Sequence, residues 1–314
     1  MPFQNSSIFN FKRFLVAIML PVIITIALAG CIFSYFFEKK IILNNEITGA
    51  YKINRIINET HPDEIPIFGS SRAEGCFIPD SLTGNCFNYG LSGANYDVTL
   101  FMLNEECKKT KSTPWVILNF DMEGLTYGLG DISNYIPNSD NAGVRNLLGK
   151  EYKPYFRIPF IKYYGRFENY LRLYLSDKIK LTKFTDKGAS VDKNVLPLKK
   201  FNELVKMRGN TMATFYNDPS LQAKLKTIIT THSNRRFLFV IPPYHPSYFE
   251  KYTNISETNA FFNELQSHQN VKVLDYSRLT LPDSMFVNTS HINLIGTVLF
   301  NHMLADTLRT IGVH

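Results

Sequence analysis

Five short apolar segments alternate with helical patterns, and this alternation constrains the fold more than any other feature of the chain. Helical patterns lie at about 95–109, 220–232, 256–267 and 291–311. The apolar segments are 65–68, 86–89, 115–120, 236–241 and 271–274. Strands that are continuously apolar and alternate with helices are typical of a parallel sheet covered on both faces. We therefore predict an α/β three-layer sandwich built on a parallel sheet of about five strands.

Composition fits one sizeable globular domain. The chain has 314 residues, of which 45% are hydrophobic and 19% charged, enough to bury a core. Its net charge of +7 is spread along the sequence, and no nucleic-acid-binding module is recognisable. We predict no nucleic-acid partner.

The N-terminal region predicts a membrane anchor. Residues 14–37 carry no charge, and about 20 apolar residues suffice to cross a bilayer as a helix. Lys12 and Arg13 precede this segment, which favours a cytoplasmic N-terminus. We predict a tail and transmembrane signal anchor over residues 1–40. The domain over 41–314 would then lie outside the cytoplasm, tethered to the cell membrane by a single span.

The cysteines leave two questions open. The segment 28–31 (Leu-Ala-Gly-Cys) is similar to a bacterial lipobox, so lipid attachment at Cys31 is an alternative anchor, although the apolar residues 32–37 oppose it. Cys76 and Cys86 flank a polar turn and either form a disulfide in an oxidising compartment or remain buried and unpaired. No spacing of zinc ligands occurs, and we predict no metal.

Residues of about 125–200 interrupt the strand-helix rhythm and are predicted to form a helical insertion. Its part over 151–180 is rich in Tyr, Phe, Lys and Arg. One interpretation is a lid that grips a sugar or an anionic polymer. The other is an amphipathic cap packed on the domain or on the membrane surface.

Two motifs carry the predicted chemistry, one at the end of the first predicted strand and one just before the last helical pattern. Ser71 follows the first apolar segment in Phe-Gly-Ser-Ser-Arg (68–72), and His291 lies near the start of the last helical pattern. A serine at a strand-to-helix turn and a histidine can act as nucleophile and base. The alternative is structural: Gly-Ser-Ser is a turn that caps a helix, and Asn288 or Ser290 caps the helix near His291.

The order of the motifs resembles the SGNH (GDSL-like) hydrolase superfamily, especially its membrane-anchored branch associated with envelope and exopolysaccharide O-acylation. The matching blocks are 69–71, 88–95, 119–121 and 291–296. The resemblance implies a flavodoxin-like sheet, with Ser71 as nucleophile and His291 as base. The backbone of Ser71 and Gly93 would form the oxyanion hole. Asn119 or Asp121 would stand where the family has a further donor. It also implies an acyl-serine intermediate and no cofactor.

Four other residues are candidate substrate contacts. Arg72 and Asn95 belong to the first two blocks, and Tyr244 and His245 follow the fourth apolar segment. In a parallel sheet, ligands bind at the carboxyl ends of the strands, where all four are predicted to lie. A surface ion pair is the alternative for Arg72. For Tyr244 and His245, the alternative is that the prolines within 241–246 only impose a rigid turn.

Asn288 departs from the family pattern, which has an aspartate three residues before the histidine. An amide can orient the imidazole but cannot stabilise its cation. We predict a serine esterase or O-acyltransferase acting on acyl esters of a cell-envelope or secreted glycan, with a membrane-bound O-acyltransferase as a candidate partner. The alternative is a catalytically impaired protein of the same fold that binds a polysaccharide or such a partner.

Overall fold

The centre of the fold is a five-stranded parallel sheet. The computed structural model describes residues 11–159, 161–168, 170–171, 182–208, 213–250 and 252–313. The strands are β1 (Glu64–Phe68), β2 (Asn85–Asn88), β3 (Trp115–Asn119), β4 (Arg236–Ile241) and β5 (Val271–Asp275). Their order is β2-β1-β3-β4-β5, and every neighbouring pair is parallel. This is the flavodoxin-like order, and the predicted fold class is confirmed.

Helices cover both faces of the sheet. The helix α1 (Leu20–Phe37) precedes the sheet, and the helices of the domain are α2 (Gly49–Asn58), α3 (Ser71–Cys76), α4 (Tyr96–Cys107), α5 (Ala142–Leu148), α6 (Leu198–Arg208), α7 (Pro219–Thr231), α8 (Ile255–Gln266) and α9 (Leu294–Thr310). One hydrophobic core lies between the sheet and α2, α4, α7 and α8, and a second lies between the sheet and α9 with part of α6.

The strands are apolar on both faces because each face packs against a core. In β4, Phe237 and Phe239 belong to the first core, whereas Leu238 and Val240 belong to the second. All four side chains are fully buried. Successive side chains of a strand point to opposite faces, so a strand between two helical layers needs an uninterrupted apolar sequence.

A long apolar helix precedes this domain. The helical run Leu15–Ile42, which contains α1, has 28 residues and a mean hydropathy of 2.7. No residue of its most apolar stretch of 18 residues is buried. At its carboxyl end, Phe37 stacks on Phe167 with ring centroids 4.6 Å apart. Glu38 pairs with Lys162 at 2.5 Å. A helix of this length is compatible with a single-pass anchor or a signal sequence.

The region of about 125–200 contains less helix than predicted in its described part. Short helical turns and α5 occupy much of 132–159 and 161–163, and an antiparallel hairpin pairs Lys183–Asp186 with Ala189–Asp192. Residues 160, 169 and 172–181 of the predicted insertion lie outside the described residues. The hairpin docks on the edge strand β2, because the N–H of Asn88 donates to the carbonyl of Lys187 at 2.9 Å. Its strands are short and largely polar, which is why the apolar pattern did not reveal them.

Candidate active site

Ser71 is presented by a tight turn between β1 and α3. Gly69 has φ +147°, and a Cβ there would lie 2.8 Å from the Cβ of Asn119 and 2.9 Å from that of Ala73. Only glycine fits this approach. The hydroxyl of Ser70 accepts a hydrogen bond from the N–H of Arg72 at 3.2 Å and so caps α3. Because Ser70 is the cap, the hydroxyl of Ser71 is left for another partner.

His291 lies in a short strand pair ahead of α9. The helix begins at Leu294, and its N-cap is Asn293, whose Oδ1 accepts from the N–H groups of Ile295 at 3.1 Å and Gly296 at 3.2 Å. The alternative interpretation of Asn288 or Ser290 as this cap is therefore wrong. Instead, Asn288 and His291 face each other in the antiparallel pair Phe286–Asn288 with His291–Ile292.

Ser71, His291 and Asn288 form a continuous hydrogen-bonded relay. Ser71 Oγ lies 2.9 Å from His291 Nε2, and His291 Nδ1 lies 3.2 Å from Asn288 Oδ1. Ser290 Oγ lies 3.1 Å from the same Nδ1. Sequence separation between the serine and the histidine is 220 residues, so only the folded chain brings them together.

The orientation of the Asn288 amide determines which imidazole nitrogen carries the proton. Asn288 Oδ1 accepts hydrogen bonds from the backbone N–H groups of Ser290 at 2.9 Å and His291 at 3.0 Å. Backbone N–H groups only donate, so the amide oxygen, not its nitrogen, faces the ring. An oxygen at this position favours a proton on Nδ1 and leaves the Nε2 lone pair for the hydroxyl of Ser71.

Two backbone N–H groups border the cleft beside Ser71. Gly93 has φ +77° in the loop between β2 and α4, a conformation that favours glycine. Both Gly93 and Ser71 line the cleft. Within the described residues, neither N–H donates a hydrogen bond to another protein group. They are available to a developing oxyanion.

Asn119 and Asp121, expected near the oxyanion hole, are placed differently from each other. Asp121 lines the cleft, but Asn119 Nδ2 is engaged by Asp121 Oδ1 at 2.8 Å. The Oδ1 atom of Asn119 is buried without a partner among the described residues. Burial raises the pKa of Asp121, and the nearby guanidinium of Arg72 opposes this rise. Asn119 is not among the residues that line the cleft, and one of the two hydrogens on its Nδ2 is taken by Asp121.

Arg72 borders the cleft but points into the protein. Its side chain is 3% exposed, and its guanidinium donates to the carbonyl oxygens of Ser290 and Pro242, the latter at 2.8 Å. The guanidinium also lies 3.5 Å from the ring centroid of Tyr244. Arg72 thus ties α3 to the loops after β4 and before His291. Its Nε also lies 3.4 Å from Asp121 Oδ1, so the ion pair considered as the alternative is present but is buried, and the contact with an anionic substrate group stays a prediction.

The remaining candidate contacts divide between the cleft and the interior. Asn95 lines the cleft, and its Nδ2 donates to the carbonyl of Tyr127 at 2.8 Å. Tyr244 is buried, and its hydroxyl accepts from the N–H of Met122 at 2.8 Å. His245 pairs with Asp283 at 3.1 Å and is not among the residues that line the cleft.

Lys52 supports the site, although no sequence pattern indicated this role. Its side chain is fully buried, and its ammonium donates to the carbonyl of Gly90 at 2.6 Å and to Glu74 at 3.2 Å. Gly90 precedes the loop of Gly93, and Glu74 lies on α3. Burial lowers the pKa of Lys52, and Glu74 counteracts this effect. A lysine on an amphipathic helix is normally solvated, so only the tertiary structure reveals this role.

The cysteines predicted to pair or remain free are unpaired. Cys76, Cys86 and Cys107 are buried free thiols. Among the described residues, no group of three His, Cys, Asp or Glu side chains is placed to hold a metal ion.

Comparisons with known proteins yield distant structural likenesses only. No protein-family model matches the chain, and no curated protein matches it. A solved protein from Streptococcus pneumonia, provisionally described as a platelet activating factor, is 11% identical with a TM-score of 0.41, covering 94% of this chain and 98% of its own. An acetyl xylan esterase (Est2A) from the rumen bacterium Butyrivibrio proteoclasticus is 10% identical with a TM-score of 0.32, covering 80% of this chain and 64% of its own. Similarity this low carries no argument about the function of the site.

Proposed function

We propose that this protein is a serine esterase that works through an acyl-serine intermediate. The observation that carries the proposal is the relay itself, with Ser71 Oγ 2.9 Å from His291 Nε2 and His291 Nδ1 3.2 Å from Asn288 Oδ1. A nucleophile within hydrogen-bond reach of a base, which a third group orients, is the arrangement that activates a serine hydroxyl.

The reaction follows from these positions. Ser71 Oγ attacks the ester carbonyl carbon while its proton passes to His291 Nε2, and the carbonyl oxygen becomes an oxyanion beside the N–H groups of Ser71 and Gly93. The bond between the carbonyl carbon and the alcohol oxygen then breaks, and His291 returns the proton to the departing alcohol. Water or another alcohol repeats the sequence in reverse and frees Ser71.

The cleft beside Gly93 favours an uncharged acyl group. Its volume is about 180 Å³, and the acidic side chains of Asp121 and Glu123 line it together with Arg72, which pairs with Asp121 at 3.4 Å. With Arg72 already paired, a further anion would meet the acidic side chains and be repelled. An acetyl group is uncharged and fits within this volume.

The finer proposal is that the ester belongs to a cell-envelope or secreted glycan and that the protein acts beside a membrane-bound O-acyltransferase. It is supported by the order of motifs and by the apolar helix at the N-terminus. We also propose that this helix is a single-pass anchor, with the domain outside the cytoplasm. Its Cys31 is exposed, so lipid attachment there remains the alternative. Protease protection of sealed vesicles tests the orientation.

A binding protein of the same fold is the second candidate, and Asn288 favours it. The amide supplies no negative charge to stabilise an imidazolium. Such a protein would keep the cleft and lose the chemistry.

Labelling with a fluorophosphonate probe tests the first proposal. The full-length protein in detergent should gain the mass of one phosphonyl group at Ser71. Ser71→Ala should abolish the adduct, and His291→Ala should slow its formation at least a hundredfold. Ser70→Ala is the adjacent serine control, since the hydroxyl of Ser70 caps α3 and hydrogen-bonds Asp121, whereas the hydroxyl of Ser71 contacts His291. A folded wild-type protein that takes up no label would favour the binding protein.

A further inference from the structure

Two clefts, not one, meet at the catalytic pair. The first, already described, contains Gly93. The second has a volume of about 210 Å³ and is also bordered by Ser71 and His291. Its other walls include Asn288 and Ile292 of the histidine strand pair and Glu74 and Gly75 of α3. The serine and the histidine therefore stand between two separate spaces.

The hairpin Lys183–Asp192 closes the second cleft on the far side. Lys183, Ser190 and Asp192 line it. The hairpin is anchored to the domain, because Ala189 and Val191 are fully buried and form a small hydrophobic core with Ile78. This wall is therefore a fixed part of the fold.

The chemistry of the second cleft differs from that of the first. Lys183 and Asp192 form an ion pair at 3.1 Å, with 36% and 20% of their side chains exposed. Glu74 and the hydroxyls of Ser92 and Ser190 complete a polar lining. Such a lining presents several hydrogen-bond donors and acceptors within one small space. A molecule with several hydroxyl groups matches it, because each hydroxyl both donates and accepts.

The positions of the catalytic atoms assign a half of the ester to each cleft. The oxyanion N–H of Gly93 borders the first cleft only, so the acyl carbonyl lies on that side. The alcohol oxygen must approach His291 Nε2 to receive its proton. His291 borders both clefts, and the second is the space left for the alcohol.

We propose that the second cleft is the subsite for the alcohol half of the ester and that it takes a neutral, polyhydroxylated alcohol, a sugar unit. This assignment rests on the proposed esterase function and makes it more specific. When the ester bond breaks, the sugar hydroxyl receives the proton of His291 while still in this cleft. A sugar hydroxyl bound there can also give its proton to His291 and attack the acyl-Ser71 carbonyl, which transfers the acyl group and restores the serine.

The first test compares two acetyl esters. One is p-nitrophenyl acetate, whose alcohol lacks sugar hydroxyls, and the other is methyl glucoside acetylated at one position. For Lys183→Gln and Asp192→Asn, kcat/KM for the sugar ester divided by kcat/KM for the aryl ester should fall about tenfold, mainly through KM. The matched control is Asp306→Asn, which breaks the exposed ion pair of Asp306 and Arg309 on α9 and should leave the ratio unchanged. An unchanged ratio in both cleft variants would overturn the subsite.

The second test measures binding and does not depend on turnover. Full-length Ser71→Ala protein in nanodiscs is mixed with cellotetraose, xylotetraose or chitotetraose, and saturation-transfer NMR records contact. At least one tetrasaccharide should bind, and Lys183→Gln should weaken it about tenfold while Lys224→Gln on α7 leaves it unchanged. Binding without esterase activity would sink the proposed function and keep the cleft as a sugar site. If none of the three tetrasaccharides binds, the assignment of the second cleft as a sugar subsite is refuted, whatever the wild-type esterase activity.

Discussion

Asn288→Asp should raise esterase activity by about ten- to a hundredfold, and the size of the gain is the informative quantity. In serine proteases, an asparagine in place of the triad aspartate costs about 10⁴-fold, attributed to the wrong imidazole tautomer. Here the backbone N–H groups of Ser290 and His291 hold the amide oxygen toward the ring, at 2.9 and 3.0 Å. The favourable tautomer is therefore already present, and only the missing charge remains to be gained.

The magnitude follows from the distance of that charge. A carboxylate oxygen in place of Asn288 Oδ1 would lie about 3.2 Å from His291 Nδ1. Two unit charges about 4 Å apart interact by about 4 kcal/mol at an effective dielectric constant near 20. Both residues are partly exposed, so solvent screens the interaction. If about one to two thirds of it is retained, the gain is about 1.4–2.7 kcal/mol. Each 1.36 kcal/mol corresponds to a tenfold change in rate.

The assay is kcat/KM for p-nitrophenyl acetate between pH 5 and 9, together with the rate of fluorophosphonate labelling. Asn288→Ala is the control that removes both orientation and oxygen, and it should lower the rate. A gain near 10⁴-fold in Asn288→Asp would refute our reasoning, because it would mean that the amide nitrogen faces the ring in the native protein. No gain at all would mean that His291 does not become charged in the transition state.

Three further predictions concern the residues around the relay. Lys52→Met should lower the free energy of unfolding by about 1–3 kcal/mol, because Glu74 and a buried carbonyl lose a charged donor. It should also lower kcat more than it raises KM. Urea unfolding and ester kinetics check the two effects, and unaltered kinetics would contradict the positioning role. Gly93→Ala should reduce kcat about tenfold, because φ +77° strains an alanine by about 1–2 kcal/mol, and relief of this strain moves the N–H that serves the oxyanion. The added Cβ would have room, since the nearest atom, Gly130 Cα, is 3.7 Å away. A folded variant of full activity would therefore exclude that N–H from the oxyanion hole. Burial raises the pKa of Cys76 to about 11 and that of Cys86 to about 12, so neither should react with Ellman's reagent at pH 8 until the protein unfolds. Because the folded pKa values exceed the unfolded value near 9, the thiols' contribution to stability is complete below pH 9 and is lost as the pH rises from about 9 to 11. Each thiol should lower the free energy of unfolding by about 1.4 kcal/mol by pH 10. An unchanged urea midpoint between pH 8 and 10 would contradict this prediction.

The strands and the long helices could be predicted because their signals are local. Phe237 to Val240 is apolar without a break, and such a segment must be buried on both faces wherever it lies. The hairpin of Lys183 and Asp192 could not be predicted in this way. Its strands are stabilised by docking on β2 and α3, and docking leaves no periodic pattern in a largely polar segment.

The same distinction separates the residues of the site. Ser71 and His291 were recognisable because a serine at a glycine turn and a late histidine stand in a known order. Arg72 and Tyr244 lie at the predicted edge of the sheet, yet they serve the interior, because the guanidinium is enclosed by carbonyl oxygens of two segments that are distant along the chain, at Pro242 and Pro243 and at Ser290. A sequence lists the hydrogen-bonding groups of a side chain but not the partners that surround it.

The local apolar pattern and the turn chemistry of the chain specify the α/β class, the apolar N-terminal helix and the residue types of a candidate nucleophile and base. The distance of 2.9 Å between Ser71 and His291, the orientation of the Asn288 oxygen toward the imidazole and the second cleft beside the polar hairpin arise only in the folded protein. Hydrogen-bond geometry and cavities depend on segments distant along the chain, and these segments meet only when the two cores are packed.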